Sequence, residues 1–206
     1  MRIASLTILC LALAAIPAWA DYDNGPINGT TDAWTINFGY VVSDTFTVGA
    51  GGGTVGNISF GVWEFPGDTM QTVDFTITAT ENGTGVGGTR NVTDTYMSTN
   101  QYGYNIDVIS FNAGGIPLNQ GTYWLNLANA VVPSGDPVYW DENSGTGCGG
   151  SGCPSSASES AVGTIPGEAF TIGTGSSSGS TPEPSSIMLF GSGILGLAGV
   201  LRRKLF

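Results

Sequence analysis

The sequence predicts an all-β body, an antiparallel β-sandwich of jelly-roll-like type, flanked by an N-terminal signal peptide and a C-terminal short transmembrane helix. Three observations carry that prediction. Apolar and polar residues alternate with period two in one short segment after another. Gly- and Asn-rich clusters separate those segments at residues 49–53, 82–83, 87–88, 112–115 and 134–136, with the chemistry of turns. No stretch of residues 21–172 shows a capped helical period, which leaves about eight strands at the spacing of a two-sheet fold.

The first element is removed rather than folded. Arg2 precedes an apolar run over residues 3–16, and Pro17-Ala18-Trp19-Ala20 follows, which puts Ala18 and Ala20 at the −3 and −1 positions of a cut before Asp21. This is the layout of a signal peptide over residues 1–20. Cys10 lies inside the apolar run and is removed with it.

The body spans residues 21–172. Its first strand is expected where Trp34, Ile36, Phe38 and Tyr40 share one face, and the next where Phe46 and Val48 alternate with Thr45 and Thr47. Ile58, Phe60 and Val62 alternate with Asn57, Ser59 and Gly61. The clearest strand is residues 72–80, with Val73, Phe75, Ile77 and Ala79 opposite a row of Thr and Asp. Further strands are expected over residues 104–111, 121–132, 137–140 and 169–172. Residues 173–180 contain only Gly, Ser and Thr and read as a flexible spacer.

The last element, residues 181–206, has three parts. Pro182-Glu183-Pro184 comes first, and two prolines so close together hold the chain extended and remove two backbone donors. An uncharged apolar helix is expected over residues 187–201. Its length is about 22 Å against the roughly 30 Å of a hydrocarbon core, short for a permanent anchor. Arg202, Arg203 and Lys204 then form a basic cluster that stays on the cytoplasmic side and places the body outside. These parts in this order resemble the PEP-CTERM sorting signal of Gram-negative bacteria, also labelled the C-terminal domain of ice-binding proteins, which is a label and not an activity. The resemblance implies processing near Pro182, Glu183 and Pro184 by an exosortase, a membrane protease. It further implies delivery through the inner membrane to the cell surface or to exopolysaccharide.

Charge excludes one class of function. All acids but Glu183 lie in residues 21–180, and of the five basic residues only Arg90 does, so the body carries close to −14. Such a surface repels phosphates, which excludes nucleic-acid binding. Cys148 and Cys153, five apart in a Gly-rich loop of an exported protein, are expected to form a disulfide that pins a loop. Three G-x-G-x-x-G matches, at residues 51–56, 83–88 and 145–150, precede no helix, and 33 glycines in 206 residues make them chance hits.

No enzymatic activity, catalytic residue or metal centre is expected. The chain has no histidine to serve as the base of a serine triad, and its one lysine, Lys204, lies in the tail. Glu64, Asp68, Asp141 and Glu142 supply the carboxyl pairs a glycoside hydrolase needs, but 15 acids supply such pairs in any fold. The main expectation is a structural or adhesive surface protein with no cofactor. The alternative is a glycan-binding module, with Trp63, Trp124 and Trp140 as stacking residues, since Trp63 and Trp124 fall out of phase with their apolar neighbours. Calcium enters as a cofactor only through Asp136, Asp141 and Glu142, without the strict spacing of a calcium loop.

Overall fold

A computed structural model describes residues 21–143 and 156–174. Thirteen strands follow in order: β1 Tyr22–Asp23, β2 Ala33–Thr35, β3 Val41–Val48, β4 Gly53–Glu64, β5 Thr72–Thr78, β6 Val86–Asn91 and β7 Thr93–Thr99. They continue as β8 Asn105–Leu118, β9 Gly121–Val131, β10 Tyr139–Asp141, β11 Ala157–Glu159, β12 Gly163–Ile165 and β13 Phe170–Thr174. No helix occurs among the described residues. The fold is all-β in two antiparallel sheets, as the alternation requires. The expected signal peptide, the helix over residues 187–201, and both Cys148 and Cys153 lie outside the described residues.

In the first sheet β4 is central. On one side β8 pairs with it over nearly its whole length, and β7 pairs with β8. The other edge of β4 is shared: β13 takes its middle, with Phe170 opposite Phe60, and β10 takes its end, with Trp140 opposite Val62. β1 and β2 extend the sheet beyond β13 and β10. The second sheet runs β12-β11-β3-β9-β5-β6. The chain changes sheet between β2 and β3, β3 and β4, β4 and β5, β6 and β7, β8 and β9, β9 and β10, β10 and β11, and β12 and β13, so only β5–β6, β7–β8 and β11–β12 pair as sequence neighbours.

The inner faces meet in one core built from the predicted apolar phases. Ile58, Phe60 and Val62 of β4, Val73, Phe75 and Ile77 of β5, and Leu125 and Leu127 of β9 are all buried in it. Trp140 lies at its centre and meets Phe60 and Phe170 edge-on at 5.8 and 5.6 Å between ring centroids. Such pairs add about 0.5–1.5 kcal/mol each beyond area burial.

Four expectations change. The first strand stops at Thr35, because Phe38 (φ 56°) and Gly39 (φ 89°) make a turn that leaves Phe38 63 % exposed instead of sharing a face with Ile36. Residues 112–115 are not a turn between strands. They lie within β8 as a bulge, where Asn112 pairs with Asn57 and Ile116 with Val55, and Gly114 and Gly115 take the positive φ that the extra residues need. Gly87 and Gly88 lie inside β6, where the backbone at residue 87 passes so near the Phe75 carbonyl that a Cβ would fall 1.9 Å from its oxygen. Finally, β13 runs to Thr174, two residues into the expected spacer.

Candidate functional site

The outer face of the first sheet holds Trp63. Its phase on β4 points it away from the core, as the sequence indicates, yet it is only 6 % exposed. Tyr102 stacks on it at 5.8 Å and Tyr104 lies 5.9 Å away. The chain before β2 closes over the same face, with Ile27 against Gly61 so tightly that a Cβ there would come within 2.6 Å. Trp63 therefore has no free face for a sugar. Trp140 is wholly buried in the core, so it too is ruled out as a stacking residue. Trp124, on β9 opposite Thr45, is half-buried.

Asp141 ends β10 beneath that covering segment. Its carboxylate accepts from Trp63 Nε1 at 2.6 Å, from the Asn28 amide at 2.8 Å and from the Gly29 amide at 3.0 Å. Burial raises its pKa, while these three donors and the neighbouring charges act in smaller measure, the donors lowering it. Glu142 accepts from Trp34 Nε1 at 3.3 Å. Asp136 is exposed in the turn before β10, where its backbone amide donates to the Ser134 hydroxyl at 3.0 Å. The strand lies between it and Asp141, so the expected cation trio of Asp136, Asp141 and Glu142 does not converge. Glu168, entirely buried near Asp44 and Glu142, is held well above the usual carboxyl range, first by burial and then by those charges.

A different trio converges. Glu64 at the end of β4, Asp94 on β7 and Asp107 on β8 each bring a carboxylate oxygen within 4.8 Å of the others. Val62 pairs with Asp107 and Ile109 with Asp94, so three neighbouring strands deliver them to one end of the sandwich. Glu64 is fully buried with neither oxygen hydrogen-bonded, and Asp107 is 3 % exposed with Oδ1 unpartnered. Half-buried Asp94 accepts from the Met70 amide at 2.6 Å. Burial pushes Glu64 up to about 8, aided by the charges of Asp94, Asp107 and Asp68; burial and Asp94 push Asp107 up to about 6; and burial raises Asp94, while the Met70 amide lowers Glu64 and Asp94 in smaller measure.

Sequence reasoning had Glu64 only as a loop acid and missed Asp94 and Asp107. The signal was present: Glu64 continues the inward phase of Ile58, Phe60 and Val62, and Asp107 that of Ile109 and Phe111. An acid in an inward phase is the informative exception to burial of apolar residues.

A band of partly exposed aromatics borders Trp63. Tyr102 is 62 % exposed, Phe65 meets Tyr104 at 5.0 Å, and Tyr104 meets Tyr139 at 5.8 Å. Of the residues expected to act in export and sorting, Asp21 is exposed just before β1, and Ala18, Ala20, Pro182, Glu183, Pro184, Arg202, Arg203 and Lys204 lie outside the described residues.

Residues 180–204 match the PEP-CTERM protein-sorting motif. The match begins one residue before the expected boundary and includes the prolines, the apolar run and the basic cluster. This motif is the substrate signal for exosortase processing and marks an exported protein of the cell surface. No curated protein matches the chain.

Proposed function

We propose that the sandwich is a structural or adhesive module of the cell surface or extracellular matrix and has no enzymatic role. The observation that carries this reading is the sorting motif at residues 180–204 behind an acidic all-β domain. The way β9 lies between β3 and β5 while β8 lies between β4 and β7 supports a jelly-roll-like arrangement, a common scaffold for binding and assembly. A non-catalytic role is favoured by the absence of histidine and by the three donors that occupy Asp141. Intact-mass spectrometry of the surface protein tests the route. The mature chain is expected to begin at Asp21 and to lack residues 187–206, and a retained tail overturns processing. Cells lacking the protein are expected to lose matrix cohesion, and full cohesion in their absence overturns the structural role.

The second reading is exopolysaccharide binding, and the aromatic band favours it. Tyr102, Phe65, Tyr104 and Tyr139 present ring surface on one side of the domain, as sugar-stacking sites do. Titration calorimetry against the source organism's exopolysaccharide distinguishes the two readings. Binding that Tyr102→Ala weakens supports recognition by the band, and absence of heat at high concentration removes it.

A further inference from the structure

Three carboxylates share one end of the sandwich with no basic partner. Arg90 is the single Lys or Arg in residues 21–180. Its guanidinium is engaged elsewhere, donating to the carbonyls of Thr89, Asn112 and Ala113 and lying 5.0 Å over the Phe75 ring. The charge that balances Glu64, Asp94 and Asp107 must therefore come from solvent, as protons or as a cation. Leaving several carboxylates ionised and unpaired in the interior costs several kcal/mol each.

We propose that Glu64, Asp94 and Asp107 form a calcium site that ties the β4–β5 connection to β7 and β8. The donor set is all oxygen, as a hard divalent cation requires. Two oxygens bound to one calcium at about 2.4 Å lie no more than about 4.8 Å apart, the separation within which all three carboxylates fall. Both Glu64 oxygens and Asp107 Oδ1 lack any hydrogen-bond donor, so ligation displaces no existing bond at those atoms. The half-buried Asp94 opens the site to solvent and keeps one oxygen on the Met70 amide, which carries the metal's hold into residues 65–71. Waters complete the six to eight ligands calcium takes. Magnesium, which demands near-ideal octahedral geometry at shorter distances and sheds its waters reluctantly, suits three carboxylates fixed at this spacing less well. The proposal stands apart from the sorting reading, because it depends only on the folded domain.

Calorimetric titration of the exported chain with CaCl2, after stripping with a chelator, tests it, together with a thermal melt of the same samples. One equivalent is expected to bind with Kd at or below about 1 mM and to raise the melting midpoint, with MgCl2 at least about tenfold weaker. Glu64→Gln and Asp107→Asn, each checked for folding by circular dichroism, are expected to weaken calcium at least about tenfold, and Glu81→Gln, a change at an exposed acid, to leave it unchanged. Two variants guard against the failure of one to fold. No saturable heat and no midpoint shift in the unsubstituted protein up to about 10 mM calcium overturns the site, and so does a response that both variants retain. In either case protons balance the trio instead.

Discussion

Asp141 and Glu64 are both acids at strand ends in the same sheet, both sealed from solvent, yet their surroundings differ in kind. Asp141 meets three N–H donors, one of them from the indole beside it and two from the backbone that wraps over it. Neither Glu64 oxygen completes a hydrogen bond: the Met70 amide near it donates to Asp94, and two carboxylates face it. A buried acid supplied with donors acts as a structural fastener, because its charge is balanced by hydrogen bonds made once on folding. A buried acid without donors is an open valence. The contrast distinguishes residues that hold the fold from residues that await something else.

Removing the fastener is expected to do the most damage. Asp141→Ala leaves the Trp63 indole and the amides of Asn28 and Gly29 without their acceptor beneath the covering segment, and urea unfolding should show a loss of about 4 kcal/mol. A loss under 1 kcal/mol would mean that water replaces the carboxylate, and the contrast would fail.

The opposite behaviour is expected at Glu64 in chelator. Its folded pKa of about 8 lies above the usual 4.5, so the folded protein holds the proton more tightly than the unfolded chain. Its contribution to stability is complete below pH 4.5 and is lost as pH rises toward 8. Metal-free protein should therefore weaken across that window, and Glu64→Gln should flatten the profile and exceed the unsubstituted chain by about 2 kcal/mol at pH 8, less than full linkage because water entry screens the site. Equal slopes in the two proteins would place Glu64 in a far better solvated setting.

Two smaller changes probe how the Asp141 side is closed. Gly61→Ala places a Cβ 2.6 Å from Ile27 Cγ2 and 3.1 Å from the Asp141 Cβ, and should cost about 1.5 kcal/mol as the covering segment lifts. Faster amide exchange at Asn28 and Gly29 is the accompanying sign. Trp63→Phe keeps the ring stack with Tyr102 but deletes one of three donors, for a cost of about 1 kcal/mol. A cost as large as that of Asp141→Ala would make the indole, rather than the backbone amides, the principal partner.

The legible parts of the fold are those where one face of a strand is continuously apolar. β5 is readable from Val73, Phe75 and Ile77 alone, since the inner face leaves no other phase. β6 and β7 were not readable, because both carry largely exposed or half-exposed residues and one contains a glycine pair that resembles turn chemistry. The bulge in β8 escaped for the same reason: Gly114 and Gly115 supply positive φ equally to a turn or to an irregular ladder, and only the partner strand decides which. At the sites, phase located Trp63 on the outer face but could not report that Tyr102 and the chain before β2 cover it, since those contacts join residues far apart in sequence. The carboxylate trio is likewise assembled from three strands, although the inward phase of Glu64 and Asp107 was there to be read.

The position of β13 has a mechanical consequence. It lies between β1 and β4, bonded along both edges, and the chain leaves it at Thr174 on the way to the sorting motif. Tension arriving from that side along the strand axis loads two ladders at once in shear, so many bonds share the force and must fail together. A terminal strand at a sheet margin would instead peel one bond at a time. Detaching β13 from its C-terminal end would thus mean breaking both ladders, with the short β1, which begins one residue after the expected export cut, as the second clasp on that strand.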